Sequence, residues 1–253
     1  MVASLFLTAV SGLAVQPRVV IKSEPAVAGP TFSKPLSTPD AVPMDGRMRA
    51  MELMSSGALF RYTPGVLSET AQAEKAMCDY TGFKYVVGFN SCGSALFIAL
   101  KCLGVDASSS VLCNAFSFTA VPSAVHHASA TPVYVECTDG FVMDHEDLER
   151  KITPETKYLM LTHMRGKVAD ISKVYEVAEK HNLQVVEDCA HALGIQWEGV
   201  QLGRRAKVAC FSTQSAKVRF ARRCVAPAAA PLPRGSSISH AWCSLVCRSD
   251  LRR

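Results

Sequence analysis

The sequence predicts an α/β protein with a mostly parallel β-sheet and helices on both faces. Between residues 67 and 212, short apolar runs of four to seven residues alternate with segments of helical length. Many runs are apolar at nearly every position, as in strands that are buried on both faces of a parallel sheet. Polar side chains follow the carboxyl ends of these runs, where sheets of this kind bind their ligands.

The individual elements are bounded by capping and turn residues. Ser68 and Asp170 are helix-capping residue types, and Gly82 and Gly104 stand where helices are expected to end. Pro122 lies in the first turn of its helix, where proline is tolerated. The predicted strands are 84–89, 110–116, 132–137, 157–163, 183–188 and 208–212, and the predicted helices are 67–82, 93–104, 119–128, 144–152 and 170–182.

Length and composition indicate a soluble globular protein. The chain has 253 residues, of which 49% are hydrophobic and 19% are charged, enough for one large core or two modest ones. No stretch approaches the ~18 apolar residues of a membrane helix. Residues 1–31 are predicted to be a leader or a disordered segment, because 1–17 resemble the apolar part of a cleaved leader but lack its basic start. The compartment stays open between the cytoplasm and an organelle or secretory route.

The ten cysteines do not predict disulfides or a metal site. Seven of them lie inside periodic apolar segments, as free thiols do in a reducing compartment. Cys243 and Cys247 are separated by three residues, which is a weak metal signal without matching histidines. The seven are Cys78, Cys92, Cys102, Cys113, Cys137, Cys189 and Cys210.

The positive charge is concentrated at the C-terminus. Residues 218–253 contain seven arginines, no lysine and one acid, Asp250, so their net charge is +6. The whole chain has a net charge of +5, so residues 1–217 have a net charge of −1. The basic balance therefore predicts no nucleic-acid groove in the main domain. This Arg-, Ala- and Pro-rich segment shows no helical or strand period. It is predicted to be disordered, either as the product of a misread splice junction or shifted frame, or as a genuine tail for an acidic partner.

Four side-chain types at the strand ends suit one ligand. Gly93 and Ser94 open a helix, whose free N–H groups and dipole favour a phosphate. Asp188 can pair with a ring cation, Phe118 can lie against an aromatic ring, and Lys217 can react with an aldehyde. Each has an ordinary structural explanation when taken singly. Together they predict pyridoxal 5′-phosphate (PLP) as the cofactor, and no metal.

One long run makes the prediction specific. Residues 185–217, VVEDCAHALGIQWEGVQLGRRAKVACFSTQSAK, resemble the DegT/DnrJ/EryC1/StrS family of sugar aminotransferases, PLP enzymes of the aspartate-aminotransferase-like (type I) fold. Further stretches resemble its phosphate helix, its aromatic strand end and the segment before the acidic pair; they are GFNSCGSALFIALKCLG, NAFSFTA and THMRGKVADISKVYEVAEKHNLQVVEDCAH. The resemblance covers residues 32–217 and implies an incomplete PLP-binding large domain.

The resemblance implies roles for the residues around the cofactor ring. Lys217 forms the imine with the cofactor and moves the proton during amine transfer. Asp188 pairs with the pyridinium nitrogen, and Phe118 stacks on the ring. His191 stands where the family usually has glutamine near the ring hydroxyl, and the charge of a histidine there depends on pH.

The resemblance also implies the phosphate ligands and two candidate substrate contacts. Gly93, Ser94 and Ser212 hold the phosphate, and Ser94 replaces the usual threonine while keeping its hydroxyl. His163 and Arg165 are candidates for contacts with a substrate phosphate or carboxylate. A packed histidine and a surface arginine are the more ordinary interpretation.

The implied reaction moves an amino group from an amino acid, commonly glutamate, to a keto sugar carried on a nucleotide. A complete enzyme of this type is expected to be a homodimer. The resemblance ends after Lys217, so the C-terminal small domain is expected to be missing and the chain to be poorly soluble or inactive.

Two other functions stay open at this point. A relative of the same fold can bind PLP for other chemistry, such as dehydration, but such relatives replace the lysine with histidine and Lys217 argues against this. A non-enzymatic protein can instead use the basic tail to bind nucleic acid or an acidic protein.

Overall fold

The protein is built around a seven-stranded β-sheet, which a computed structural model describes at residues 41–62, 64–65, 67–214, 217 and, for the backbone alone, 244–248. The helices in these residues are α1 (Met44–Ser56), α2 (Glu69–Thr81), α3 (Cys92–Cys102), α4 (Ala120–His127), α5 (His145–Lys151) and α6 (Ile171–Lys180). The strands are β1 (Tyr85–Phe89), β2 (Ser110–Asn114), β3 (Thr131–Val135), β4 (Tyr158–Thr162), β5 (Gln184–Cys189), β6 (Gln196–Trp197), β7 (Val200–Gln201), β8 (Val208–Phe211) and β9 (Ser244–Arg248).

The sheet is mostly parallel, as predicted. Its strand order is β1-β9-β8-β5-β4-β2-β3. The five strands from β8 to β3 are parallel to one another, and β9 runs antiparallel to both of its neighbours. Consequently β1 is parallel to the other five, and six strands end at one edge.

Helices cover both faces of the sheet and create two cores. Along β5, Val185 and Cys189 belong to one core, which also contains residues of α2, α5 and α6. Val186 belongs to the other core, with residues of α3 and α4. This alternation follows from the two-residue period of a strand, and it explains why β5 is apolar at consecutive positions.

Capping residues define the helix ends as predicted. Ser68 accepts a hydrogen bond from Ala71 N at 3.3 Å at the start of α2, and Asp170 accepts one from Lys173 N at 3.1 Å at the start of α6. Gly82 ends α2 with a φ of 74°, a conformation that favours glycine. Helix α3 begins at Cys92, one residue before the predicted start.

The strand β9 corrects the prediction for the C-terminal segment. Residues 218–253 were expected to have no regular structure, but the backbone of Ser244–Arg248 forms a strand between β1 and β8. Without it, both neighbours would present unpaired N–H and C=O groups, which an extended segment satisfies whatever its composition. The rest of the predicted tail and the predicted leader lie outside the described residues.

A small hairpin of β6 and β7 was not predicted. Trp197 pairs with Val200, so the loop consists of Glu198 and Gly199. Both loop residues have positive φ, 51° and 79°, as the tight hairpin turn requires. The sequence EG is a weaker signal for this turn than asparagine or aspartate before glycine.

The cysteines are free thiols, as predicted, at all seven positions that the structure describes. Their placement is less uniform than the sequence predicts: Cys113, Cys189 and Cys210 are buried, whereas Cys102 is exposed. No helix among the described residues has both the length and the apolar character needed to cross a membrane.

Candidate active site

The predicted site residues all follow or end strands of the parallel set. Because these strands end at one edge of the sheet, their C-terminal residues and loops lie on the same side of the molecule. They are Gly93 and Ser94 after β1, Phe118 after β2, Asp188 at the end of β5, His191 after β5, and Ser212 and Lys217 after β8.

Lys217 meets the side chains that follow two other strands. Its Nζ lies 5.6 Å from the centroid of the Phe118 ring. Its charge also acts on two other groups: it opposes the rise that burial causes in the pKa of Asp188, and it adds to the fall that burial causes in the pKa of His191. The lysine is held by a turn after Ser212, in which its backbone N–H donates to Gln214 O at 2.9 Å. The structure therefore brings these four predicted residues together at the carboxyl edge of the sheet, in a region that we call the crevice.

Asp188 is a buried carboxylate. Its residue is 5% exposed, and Oδ1 accepts a hydrogen bond from Ala190 N at 3.0 Å. Burial raises the pKa of Asp188, while this hydrogen bond and the charges of Lys217 and His163 lower it in part. The pKa of Asp188 is raised overall. This is typical of a carboxylate whose negative charge is not fully compensated by neighbouring donors and cations.

The start of α3 is fixed against the end of β8. Ser91 caps the helix: its Oγ accepts from Ser94 N at 3.0 Å and lies 2.9 Å from Ser94 Oγ. The Cys92 thiol lies 3.8 Å from the carbonyl oxygen of Phe211, so Ser212, the next residue, stands beside this helix start. Both predicted phosphate-binding segments are thus neighbours. Ser91 was not among the predicted residues, although a serine before a helix start is a clear capping signal.

His191 has a lowered pKa. It is half-buried, and burial together with the charges of Lys217 and Arg165 lowers its pKa to about 4. The sequence left its charge open. With a pKa of about 4 we expect the ring to be neutral near pH 7, and a neutral imidazole can donate at one nitrogen and accept at the other.

His163 and Arg165 follow β4 and differ in exposure. His163 is 1% exposed, so it is a packed histidine and does not reach a substrate. Arg165 is exposed and has a φ of 55°, an uncommon conformation for a residue other than glycine. Its charge reaches His191, which places it near the crevice.

A buried hydrogen-bond network surrounds Glu187, on the opposite face of β5 from Asp188. Glu187 Oε1 accepts from the Tyr175 hydroxyl at 2.5 Å, and Oε2 lies 2.9 Å from His163 Nε2 and accepts from Gly203 N at 2.9 Å. Burial favours the neutral acid, but these donors outweigh it and hold the pKa of Glu187 below its usual value. Sequence reasoning did not find this network, because its members lie 12 to 24 residues apart.

The Glu187 network has the ligand types of a metal site but not its chemistry. Ligand atoms of His163, Glu187 and Cys189 lie within 4.8 Å of one another. Both oxygens of Glu187 are already engaged, because a hydroxyl and a backbone N–H donate to them. We therefore assign hydrogen bonding, rather than metal binding, to this cluster.

Phe118 contributes to a second feature of the edge. It is 54% exposed and lines an open cleft of about 360 Å³ together with Ala115, Ser117, Thr119, Pro122 and Tyr134. Neither Asp188 nor His191 lines this cleft. The ring of Phe118 therefore borders the cleft and also lies near Lys217.

The residues at this edge fit PLP. The buried acid Asp188, which lacks full compensation of its charge, suits the ring nitrogen; the amine of Lys217 suits the aldehyde; and the exposed ring of Phe118 suits the ring face. The capped start of α3 beside Ser212 suits the phosphate.

The solved structures define the class of protein. In one comparison the chain matches a protein from Streptococcus pneumoniae, classed as a sugar aminotransferase and solved in its PLP form, with a TM-score of 0.69 and 26% identity over 87% of this chain and 54% of that one. Another structure of the same protein holds the aminated form of the cofactor, PMP. The fold is therefore that of the type I PLP-dependent aminotransferases, as predicted.

The chain belongs to the DegT/DnrJ/EryC1/StrS aminotransferase family, whose sequence profile matches residues 51–220. It is 36% identical over 140 residues to GDP-perosamine synthase of Caulobacter vibrioides, covering 55% of this chain and 38% of that protein. It is 32% identical over 180 residues to the L-glutamine:2-deoxy-scyllo-inosose aminotransferase of Streptomyces kanamyceticus, covering 70% of this chain and 42% of that protein. The chain thus spans about four-tenths of the length of these curated relatives. PLP as the cofactor is confirmed for the family.

Proposed function

We propose that this chain is part of an aminotransferase. The enzyme moves an amino group from an amino acid to a keto sugar and binds PLP at the carboxyl edge of the sheet. One observation carries the proposal: Lys217, which follows β8, lies over the Phe118 ring and interacts with the buried Asp188. An amine, an aromatic face and a buried acid from three separate strand ends converge on one crevice.

Each of these residues has a defined task in binding. Nζ of Lys217 is the covalent attachment point for the cofactor aldehyde. Asp188, as a carboxylate, keeps the ring nitrogen protonated, and Phe118 covers one ring face. When bound, PLP accepts the electron pair that is left on the substrate carbon after a proton is removed.

Lys217 has a second task after the substrate amine has displaced it. The free Nζ would then hold and move the proton taken from the substrate carbon, acting as general base and then as general acid. Ser94, Ser212 and the N-terminus of α3 hold the phosphate in place, so the lysine moves relative to a fixed partner. His191, which is neutral, can hydrogen-bond near the ring hydroxyl without adding charge.

The names of the relatives suggest the substrates. One relative is named for a GDP-linked sugar, one for a UDP-linked keto sugar, and others for an inosose with glutamine as the donor. We infer a keto sugar on a nucleotide as the acceptor, and glutamate or glutamine as the donor. The exposed Arg165 at the edge of the crevice is the candidate for contact with a substrate phosphate or carboxylate.

The assay that tests this function uses the purified chain with PLP. Glutamate or glutamine is supplied as donor, and UDP- or GDP-linked keto sugars and a keto inosose are supplied as acceptors. Because the small domain is expected to be missing, transfer by this chain is expected to be slow, and the test is comparative. Lys217→Ala should reduce any transfer to a nucleotide-linked sugar by about a thousandfold and should abolish the imine with PLP, since both covalent binding and proton transfer are lost. Lys207→Ala, at an exposed lysine near β8, is the control. Transfer that survives Lys217→Ala, or a chain that neither transfers an amine nor forms an imine on Lys217, contradicts the proposal.

We also infer that the complete enzyme is a homodimer. Helix α1 buries none of its residues, and its exposed side chains include Met44, Met48, Met51 and Met54. An exposed apolar helix face is typical of a surface that another chain covers. Sedimentation of the purified protein tests this, and a monomer at micromolar concentration contradicts it.

A further inference from the structure

One buried hydroxyl at the carboxyl edge of the sheet has no hydrogen-bond partner among the described residues. It is Oγ1 of Thr162, the last residue of β4. The residue as a whole is 6% exposed. Buried hydroxyls are normally paired, because an unpaired one costs stability. An unpaired buried donor beside a candidate site therefore suits a ligand that enters the crevice.

Thr162 extends to the same face of the sheet as Asp188. The two residues are register partners in the parallel strands β4 and β5. Two residues earlier, the register partners Met160 and Val186 both belong to the core that contains residues of α3 and α4. Side chains alternate between the two faces along a strand, so Thr162 and Asp188 extend towards that same face.

The position of Thr162 is fixed by the neighbouring strands. Its backbone N–H donates to Oδ1 of Asn114, a buried residue at the end of β2, at 2.9 Å. On the other side it is paired with Asp188, which is as enclosed as Thr162 itself. A movement that brings a ring to this acid therefore also brings it to the neighbouring threonine.

The strand order indicates which part of the cofactor would face Thr162. Strand β5 lies between β8 and β4, so Ser212, after β8, is on one side of Asp188 and Thr162 is on the other. In PLP the phosphate arm and the ring hydroxyl lie on opposite sides of the line through the ring nitrogen. With the nitrogen at Asp188 and the phosphate at Ser212, the ring hydroxyl is directed towards β4, one strand spacing of about 4.8 Å across the sheet.

We propose that Thr162 is a further cofactor-binding residue, whose Oγ1 donates a hydrogen bond to the ring hydroxyl oxygen of PLP. Three neighbouring strands then each supply one contact: Ser212 for the phosphate, Asp188 for the ring nitrogen and Thr162 for the ring oxygen. A donor at this oxygen stabilises its negative charge. The inference rests on the proposed function.

The first test removes the hydroxyl and keeps the branched shape of the side chain. Thr162→Val should weaken PLP binding about tenfold, whereas Thr162→Ser, which keeps the hydroxyl, should stay within about threefold of wild type. Fluorescence titration of the full chain with PLP measures both affinities. Without PLP, Thr162→Val should unfold at a higher urea concentration than wild type, because it lacks an unpaired buried hydroxyl.

The matched control is a buried threonine whose hydroxyl is paired. Thr81 is buried in α2, and its Oγ1 donates to the carbonyl oxygen of Met77. Thr81→Val should therefore unfold at a lower urea concentration than wild type and leave the affinity for PLP unchanged. The two threonine-to-valine changes are thus expected to have opposite effects on stability, and only one of them affects binding.

The second test reads the charge on the ring oxygen. The absorbance of PLP bound at Lys217 is followed against pH. In Thr162→Val the midpoint of the absorbance change should move to higher pH, because an oxygen without its donor holds a shared proton more firmly. Thr162→Ser should restore the midpoint of wild type. A folded Thr162→Val protein that keeps either the affinity or the midpoint of wild type overturns the inference.

The inference and the proposed function fail in different ways. If wild type forms the imine at Lys217 and Thr162→Val behaves in the same way, the role of Thr162 is wrong and the proposed function stands. If wild type forms no imine at Lys217, the proposed function is wrong and the inference fails with it.

Discussion

Two consecutive carboxylates at the end of β5 have opposite surroundings. Glu187 accepts hydrogen bonds from Tyr175 and Gly203 and pairs with His163, and its pKa is held low. Asp188, on the other face of the strand, accepts from Ala190 N, and its pKa is raised by burial. Both residues are buried, so exposure does not explain the difference.

The difference is the one that we expect between a structural acid and the acid that we propose for the cofactor. Glu187 has its charge compensated within the protein, so it contributes to stability. Asp188 keeps a charge that its surroundings do not fully compensate, which costs stability and leaves it able to bind a cationic ring nitrogen.

The largest expected effect comes from exchanging each acid for its amide. Glu187→Gln places an NH₂ group against donors in a buried site, and we expect it to lower the free energy of unfolding by about 3 kcal/mol. Asp188→Asn keeps the acceptor for Ala190 N and removes an uncompensated charge, so we expect no loss and a gain of up to ~1 kcal/mol. Urea unfolding at pH 7 measures both. An equal loss in the two variants would contradict the comparison.

The same pair predicts opposite dependences on pH. Because the pKa of Asp188 is raised, its ionised form destabilises the folded protein. As the pH falls from the folded pKa towards the unfolded pKa of about 3.9, this destabilisation disappears, and wild type becomes more stable relative to Asp188→Asn. The lowered pKa of Glu187 gives a contribution that is fully present above its unfolded value of about 4.3 and is lost as the pH falls through the folded pKa.

Unfolding curves from pH 7 to pH 3 separate these windows. The difference between wild type and Asp188→Asn should change above about pH 3.9, and the difference between wild type and Glu187→Gln should change below about pH 4.3. Two differences that change together, in the same direction, would show that the acids are not in contrasting environments.

How far the sequence predicts this molecule depends on how local each signal is. The helix that begins after Ser68 and the strands around Val185 carry their own periodicity and capping residues, so they were predicted. Strand β9 was not, because its place is set by open hydrogen-bonding groups on β1 and β8 rather than by its own five residues.

The candidate site divides in the same way. Lys217 and Asp188 could be predicted because each stands at a fixed position in a family motif. The Tyr175–Glu187–His163 network depends on side chains that meet only after β4, β5 and α6 have packed together, and nothing in the sequence near Tyr175 indicates it.

A smaller effect compares two serine caps. Ser91→Ala and Ser68→Ala each remove an N-cap hydrogen bond, and each should cost about 1 kcal/mol of stability. Ser91 stands at the proposed phosphate site and Ser68 does not. Fluorescence titration with PLP should show weaker binding for Ser91→Ala only. Equal binding by the two variants would show that the start of α3 does not bind the phosphate.

The smallest effect is expected at His191. Because its pKa is about 4, the residue does not change charge between pH 6 and pH 8. His191→Gln, which restores the residue usual in the family, should change PLP affinity by less than about threefold and leave its pH dependence in that range unaltered. A pH-dependent difference between the two proteins would show that His191 titrates when PLP is bound.

The most direct test of the account is chemical trapping of the cofactor. The full chain is incubated with PLP, reduced with borohydride and digested, and the modified peptide is located by mass spectrometry. The account predicts one stable adduct on Lys217, which Asp188→Asn weakens and Lys207→Ala leaves intact. An adduct on another lysine, or none on Lys217, would contradict it.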